Sequence, residues 1–233
     1  YVAALRREMV WAQQILTALG YGEGHFQLIE APDSAALETA VWNLRAAAAS
    51  APPATFNLSN EKRTTLDFIF EHLLKHAPRP REDISLSPGA PYGAVTVNKE
   101  KCTLCMACVG ACPESALLDS KERPQLKFIE RNCVQCGLCE KTCPEDAIAL
   151  TPRLLLAGQA KSEVVLNEAE VFACVKCGKP FATRQMIDNM LGRLNQHSMF
   201  SEPGALERLK MCADCRVIDL MHNAEHGSIH DLK

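Results

Sequence analysis

The apolar positions follow two different periods along the chain, helical at the start and strand-like in the middle, and the switch marks a change of architecture. Leu5, Met9, Ala12, Leu16 and Leu19 follow one another at alternating steps of four and three, with Arg6, Arg7, Glu8, Gln13 and Gln14 elsewhere around the turn. That spacing predicts an amphipathic helix with one buried face, stopped by Gly20. Phe26 and Leu28 alternate as a short strand. Pro32, Asp33 and Ser34 begin a second helix carrying Leu37, Val41 and Leu44, which the tract AAAASAPP at 46–53 ends. A third helix opens near Ser59 or Asn60, both good caps, with Leu66, Ile69, Phe70 and Leu73 on one stripe. Residues 1–76 thus read as a mainly helical α/β scaffold.

Residues 77–92, APRPREDISLSPGAPY, hold four prolines and a glycine and no apolar period. They predict a linker or an extended wrapping arm, with a domain boundary there. From 93 to 151 the chain repeats itself at an offset of 31 residues: Cys102, Cys105, Cys108 and Cys112-Pro113 recur as Cys133, Cys136, Cys139 and Cys143-Pro144. Strand-like AVTVN and QLKFIE precede the two runs and ALLD and AIALT follow them. With a short helix expected after each run, this gives a βαββαβ core of two interlocked halves. Residues 152–233 pass through the polar Lys161-Ser162-Glu163. They then predict a helix after Thr183 with Ile187, Met190, Leu191 and Leu194 on one side, and another after Cys215 marked by Val217, Ile218 and Leu220. The chain is α+β and ends in a small helical domain.

Composition narrows the function. The chain has 233 residues, 47% hydrophobic and 23% charged, which is ordinary ordered material. Its 25 basic against 28 acidic residues argue against a strongly cationic binder of nucleic acid or membrane. No run reaches the about 18 apolar residues of a spanning helix. The start, YVAALRREMVW, mixes charge into an amphipathic pattern unlike a secretory leader, so a cytoplasmic location is expected. Because the sequence opens on Tyr1 and not on methionine, further domains are expected upstream. Trp11, Trp42 and the methionines read as packing residues. His222, His226 and His230 recur at steps of four but read as a solvated tail, because Gly227 interrupts them.

All twelve cysteines belong to short-spaced groups, which is the arrangement of metal ligands and not of a disulfide scaffold. Three thiolates at two-residue spacing can each reach a different iron of one cubane, while the fourth ligand comes from elsewhere. Proline after the last cysteine cannot donate a hydrogen bond and turns the chain away. The small residues Ala107, Gly110, Ala111 and Gly137 let the backbone close on a cluster. KCTLCMACVGACPESAL and NCVQCGLCEKTCPEDAI resemble the bacterial two-cluster ferredoxins, in which the last cysteine of each run ligates the other cluster. The resemblance implies one 4Fe-4S cluster on Cys102, Cys105, Cys108 and Cys143, and a second on Cys133, Cys136, Cys139 and Cys112. From Asn98 to Leu150 seven basic residues face eight acidic ones, a balance that favours a module fixed beside its partners over a charge-steered shuttle.

The C-terminal pairs ACVKCGKPF and MCADCRV place Cys174 and Cys177, then Cys212 and Cys215, as four thiolates for a closed tetrahedral zinc site. Gly178 completes a knuckle, and zinc there would staple a small domain. The alternative is a third iron-sulfur cluster, since four cysteines also hold one. Lys176, Lys179, Arg184 and Arg193 bring positive charge near the site; they are too few for a nucleic-acid footprint but suffice for a docking face.

Two further resemblances concern the setting. LRREMVWAQQILTALGYGEGHFQLIEA is similar to the end of the hydrogenase iron-sulfur subunit family of the methyl-viologen-reducing delta type, whose 2Fe-2S cysteines precede this segment and are not in this chain. KRTTLDFIFEHL, the ferredoxin run, FACVKCGKPFATRQMIDNMLG and CADCRV together resemble the C-terminal part of multidomain proteobacterial 4Fe-4S proteins of the formate-dehydrogenase-associated type. They imply redox-protein partners, formate dehydrogenase or a hydrogenase or flavoprotein among them. An electron-transfer component is the reading that follows. An enzyme using a cluster catalytically would need an iron without a cysteine, and both runs are complete. A redox-regulatory metal protein with a binding role is the alternative, and the acidic balance counts against its polynucleotide form.

Overall fold

Burial of the apolar stripes, more than propensity, decides which of these elements form. A computed structural model describes residues 1–45, 51–201 and 204–222; the first five residues of the tract at 46–53, and His226, Gly227 and His230, lie outside the described residues. In chain order the elements are α1 (Val2–Ala18), α2 (Ser34–Trp42), α3 (Lys62–Lys75), β1 (Asp83–Ser85), β2 (Gly93–Val97), α4 (Ala107–Gly110), β3 (Leu117–Asp119), β4 (Gln125–Phe128), α5 (Leu138–Thr142), β5 (Ile148–Leu155), β6 (Val164–Glu168), β7 (Val171–Ala173), β8 (Pro180–Thr183), α6 (Arg184–Leu194), α7 (Ala205–Leu209) and α8 (Ala213–His222). From β2 to β5 the order is the expected βαββαβ. Two compact units divide the chain: 1–95 with 129–136 and 150–162, and 96–128 with 137–149 and 163–233.

In the first unit, α1 ends as the sequence predicts. Gly20 takes φ +85°, and the amides of Gly20 and Tyr21 donate to Thr17 and Leu16. These are the two bonds of a Schellman cap, which glycine makes without Cβ strain. The buried edge of α1 is Ile15 and Leu19, while Leu5 is exposed. Trp11 and Leu16 pack at its margin against a core of Tyr21, Ile84, Leu86, Ala90 and Leu154. Residues 77–92 therefore lie inside this unit and supply part of its core. Their strand β1 pairs antiparallel with β5, Ile84 opposite Leu154, and the sheet order is β1-β5-β2. Gln14 also accepts from the amide and hydroxyl of Ser87.

Three expectations here need correcting. Phe26 and Leu28 lie in irregular backbone, because alternation without a partner strand leaves no ladder to form. Asp33 caps α2 by accepting from the Ala36 amide, yet Leu37, Val41 and Leu44 are exposed and Trp42 is 81% exposed, so Trp42 is no packing residue. Helix α3 is capped at Glu61, one residue beyond Asn60 and two beyond Ser59; Ser59 is held instead by the Thr65 hydroxyl, which accepts from its amide.

In the second unit β3, β4 and β6 form an antiparallel sheet, with Leu117 opposite Phe128 and Leu126 opposite Asn167. The short helices α4 and α5 lie within the cysteine runs and not after them, since Pro113 and Pro144 end the helical path at the last cysteine. The C-terminal region is helical as expected, with α6 capped by Thr183, whose hydroxyl accepts from the Met186 amide. It also contains the β7–β8 hairpin, braced by an edge-on contact of Phe172 with Phe181. Val217, Ile218 and Leu220 of α8 are exposed. Among the described residues no helix is long and apolar enough to cross a membrane.

Candidate metal centres

Each cysteine run is shaped by left-handed backbone at equivalent places. Leu104 and Gln135 precede the second cysteine of their runs, Met106 and Gly137 follow it, and all four have positive φ, as do Ser115 and Asp146 beyond the prolines. Such turns bring successive amides to one side and make an anion-binding concavity suited to cluster sulfurs. The last cysteines of the two runs are also held alike: Cys112 Sγ accepts from the Ala116 amide and Cys143 Sγ from the Ala147 amide, both at 3.3 Å.

Within the second unit, Cys102, Cys105, Cys108 and Cys143 line one hollow with Leu126, Pro144 and Ile148. Cys108 is buried, Cys102 and Cys143 are half-buried and Cys105 is exposed. Burial pushes the Cys108 thiol up to about 11, and the charges of Cys102, Cys105 and Cys139 push the same way. Such a thiol keeps its proton at neutral pH until a coordinated metal displaces it. A 4Fe-4S cluster fits this donor set: four cysteine sulfurs line one hollow, with the apolar side chains of Leu126 and Ile148 beside them. Opposite Leu126, Asn167 is 3% exposed, and its Nδ2 is, among the described residues, the buried side-chain polar atom left without a partner.

Cys133 and Cys136 belong to the first unit, and Cys139 and Cys112 to the second. In the first unit Gln135 Nε2 donates to Ala94 O at 3.2 Å and to Cys133 Sγ at 3.4 Å. Gly93 makes room for it: a Cβ there would lie 2.4 Å from Thr151 O and 2.5 Å from Gln135 Cδ. Arg63 of α3 donates to the carbonyls of Arg131, Pro91 and Cys133 at 2.9, 2.6 and 3.0 Å, and its guanidinium stacks over Tyr92 at 4.5 Å. Arg131 in turn pairs with Asp67 at 2.8 Å and donates to the Thr64 hydroxyl at 2.9 Å. Helix α3 thus fixes the backbone that leads into Cys133. No spacing along the sequence marks Arg63 for this role; the one local signal of left-handed backbone is Gly137, at the position equivalent to Met106.

The second unit holds the other loop from the C-terminal side. Thr183 Oγ1 donates to Thr103 O at 3.1 Å, and Gln185 Nε2 to the carbonyls of Lys99 and Glu100, each at 2.8 Å. Asn189 Nδ2 donates to Glu145 Oε1 at 3.2 Å, and Arg193 pairs with the same carboxylate.

Cys174, Cys177, Cys212 and Cys215 converge as the sequence predicts, with all four sulfurs within 4.8 Å of one another. Gly178, at φ +72°, donates to Cys174 O at 2.9 Å, and the Val175 amide donates to Lys210 O at 3.2 Å, which ties the knuckle to the segment carrying Cys212. Burial pushes the Cys174 thiol up, but the amides of Cys212, Cys177 and Lys176 outweigh it and bring the group down to about 6. Hydrogen bonds with Cys177 and Cys212 push Cys215 up to about 12. Among the described residues this is the one group of three or more metal-ligand side chains drawn so close. The four cations noted in the sequence are each paired: Lys176 with Asp219, Lys179 with Asp214, Arg184 with Glu170 and Arg193 with Glu145.

Residues 101–147 match the 4Fe-4S dicluster domain family, a span that contains all eight cysteines of the duplicated runs. This segment is a ferredoxin-type module that holds two 4Fe-4S clusters, and the chain carries an additional four-cysteine metal site. No curated protein matches the chain.

Proposed function

We propose that the protein relays single electrons through the two clusters of its ferredoxin module as a fixed component of a larger oxidoreductase assembly. The observation that carries this reading is the hollow in which Cys143, from the second run, joins Cys102, Cys105 and Cys108 from the first. These four would hold one cluster, and the duplicated spacing assigns Cys133, Cys136, Cys139 and Cys112 to the other. Bound there, each cluster supplies reversible one-electron chemistry at low potential. The chain's own part is to keep that chemistry rigid: inward amides and the bonds to Cys112, Cys143 and Cys133 sulfurs ease the added negative charge, while Leu126 and Ile148 exclude water. Cys105 and Cys136 are exposed, so each set offers one ligand at the surface where a partner can approach.

Zinc is our assignment for the four-cysteine site. Zn–S bonds of about 2.3 Å in a tetrahedron put the sulfurs about 3.8 Å apart, and Cys177 and Cys212 stand at 3.7 Å. The partner class rests on the resemblance to formate-dehydrogenase-associated and hydrogenase-type proteins. The paired cations around the site leave a polynucleotide-binding role unsupported.

Metal analysis of anaerobically purified protein tests the assignment, with about eight irons and one zinc per chain expected. Ten or twelve irons without zinc would overturn the zinc site. Reduced protein should show the low-temperature EPR of two interacting 4Fe-4S clusters. Native protein that consistently purifies without any oxidoreductase subunit would remove the assembly from the reading.

A further inference from the structure

Helix α6 and its cap make five polar contacts with the two stretches that supply the hollow's cysteines. Thr183 holds Thr103, next to Cys102, and Gln185 holds the carbonyls of Lys99 and Glu100 just before it. Asn189 and Arg193, one and two turns further along the same helix, hold Glu145, two residues after Cys143. Cys102 and Cys143 lie far apart in the sequence, and a single rigid helix ties the stretches that carry them. Thr183 and Glu145 are placed for this: the Thr183 side chain is buried, and Glu145 lines the hollow itself.

We infer that α6 is a clamp on the cluster held by Cys102, Cys105, Cys108 and Cys143, and that Thr183, Asn189 and Arg193 are positioning residues for it. Its base is the four-cysteine site. Only five residues separate Cys177 from Thr183, and strand β8 fills four of the positions up to and including Thr183. An ion that closes Cys174 and Cys177 onto Cys212 and Cys215 therefore fixes the strand that ends in the clamp. The C-terminal metal site then acts on one cluster of the pair through α6, beyond stapling its own fold. This inference rests on the ligand sets proposed above.

The test is chelator-driven iron release from anaerobic, oxidised full-length protein, with exposed thiols alkylated over time and mapped by peptide mass spectrometry. In the wild type, the thiols of each proposed set should appear together; appearance in other groupings would overturn the ligand sets themselves. In Thr183→Val, which removes both the bond to Thr103 O and the cap on the Met186 amide, the thiols of Cys102, Cys105, Cys108 and Cys143 should appear about five- to thirtyfold faster, the factor for one to two lost hydrogen bonds, while those of Cys133, Cys136, Cys139 and Cys112 keep their wild-type rate. Thr183→Ser should restore the wild-type rate. A double variant Asn189→Ala with Arg193→Ala, which leaves the cap intact, should accelerate the same set, and potentiometric EPR should show only that cluster's midpoint displaced. Equal acceleration of both sets, or no change in either variant while the wild-type groupings hold, would overturn the clamp.

Discussion

Replacing Arg63 by alanine removes the three donors that hold the backbone leading into Cys133. Bonds from a charged donor contribute about 1.5–3 kcal/mol each when fully buried. This site is part-buried and water can re-solvate the carbonyls of Arg131, Pro91 and Cys133, so about 1 kcal/mol each is appropriate. The stack on Tyr92 adds about 0.5–1 kcal/mol, for a total of about 3–4 kcal/mol. Taking a urea slope of about 2 kcal/mol per molar, the unfolding midpoint should fall by about 1.5–2 M. Both tryptophans belong to the first unit and Trp11 packs on its core, so tryptophan emission follows the transition, with iron content read in parallel. Arg63→Lys should recover about a third of the loss, because an ammonium lacks the planar fork that reaches several carbonyls. A wild-type midpoint in Arg63→Ala, or full recovery by lysine, would refute the reasoning.

Gly93→Ala forces a Cβ against Thr151 O and the Gln135 amide; overpacking with loss of the bonds to Ala94 and Cys133 should cost about 2–5 kcal/mol, seen as a lower urea midpoint and lost iron. Met106→Gly removes a non-glycine residue from left-handed backbone, and strain relief less the added chain entropy should stabilise by about 0.5–1 kcal/mol; a lowered melting temperature of the reconstituted protein would contradict it. Asn167→Leu deletes a buried donor without a partner and should stabilise by about 1–2 kcal/mol in urea titration.

The legible parts of this chain were those in which one local rule acts alone. Cysteine spacing is ligand geometry written directly into sequence, so the duplicated runs and the C-terminal pairs could be read without a fold. Gly20 and Thr183 were equally readable, because a cap is settled within a few residues. What escaped depends on distant partners. Strand β1 hides among prolines and exists because β5 pairs with it, and Ile84 gives no periodicity to detect over three residues. Leu104, Met106 and Gln135 have no intrinsic preference for positive φ; the surrounding loop imposes it. Arg63 and the contacts of α6 join positions 28 to 86 residues apart, beyond any pattern along the chain.

The position of α6 in the sequence also sets an order in time. The ribosome completes Cys143 forty residues before it reaches Thr183, an interval of about 2–8 s at ordinary synthesis rates. During that interval all four thiols of the hollow exist on the nascent chain while the helix that will tie their two stretches does not. In synthesis, a hollow complete in its thiols thus precedes the helix that ties its two stretches.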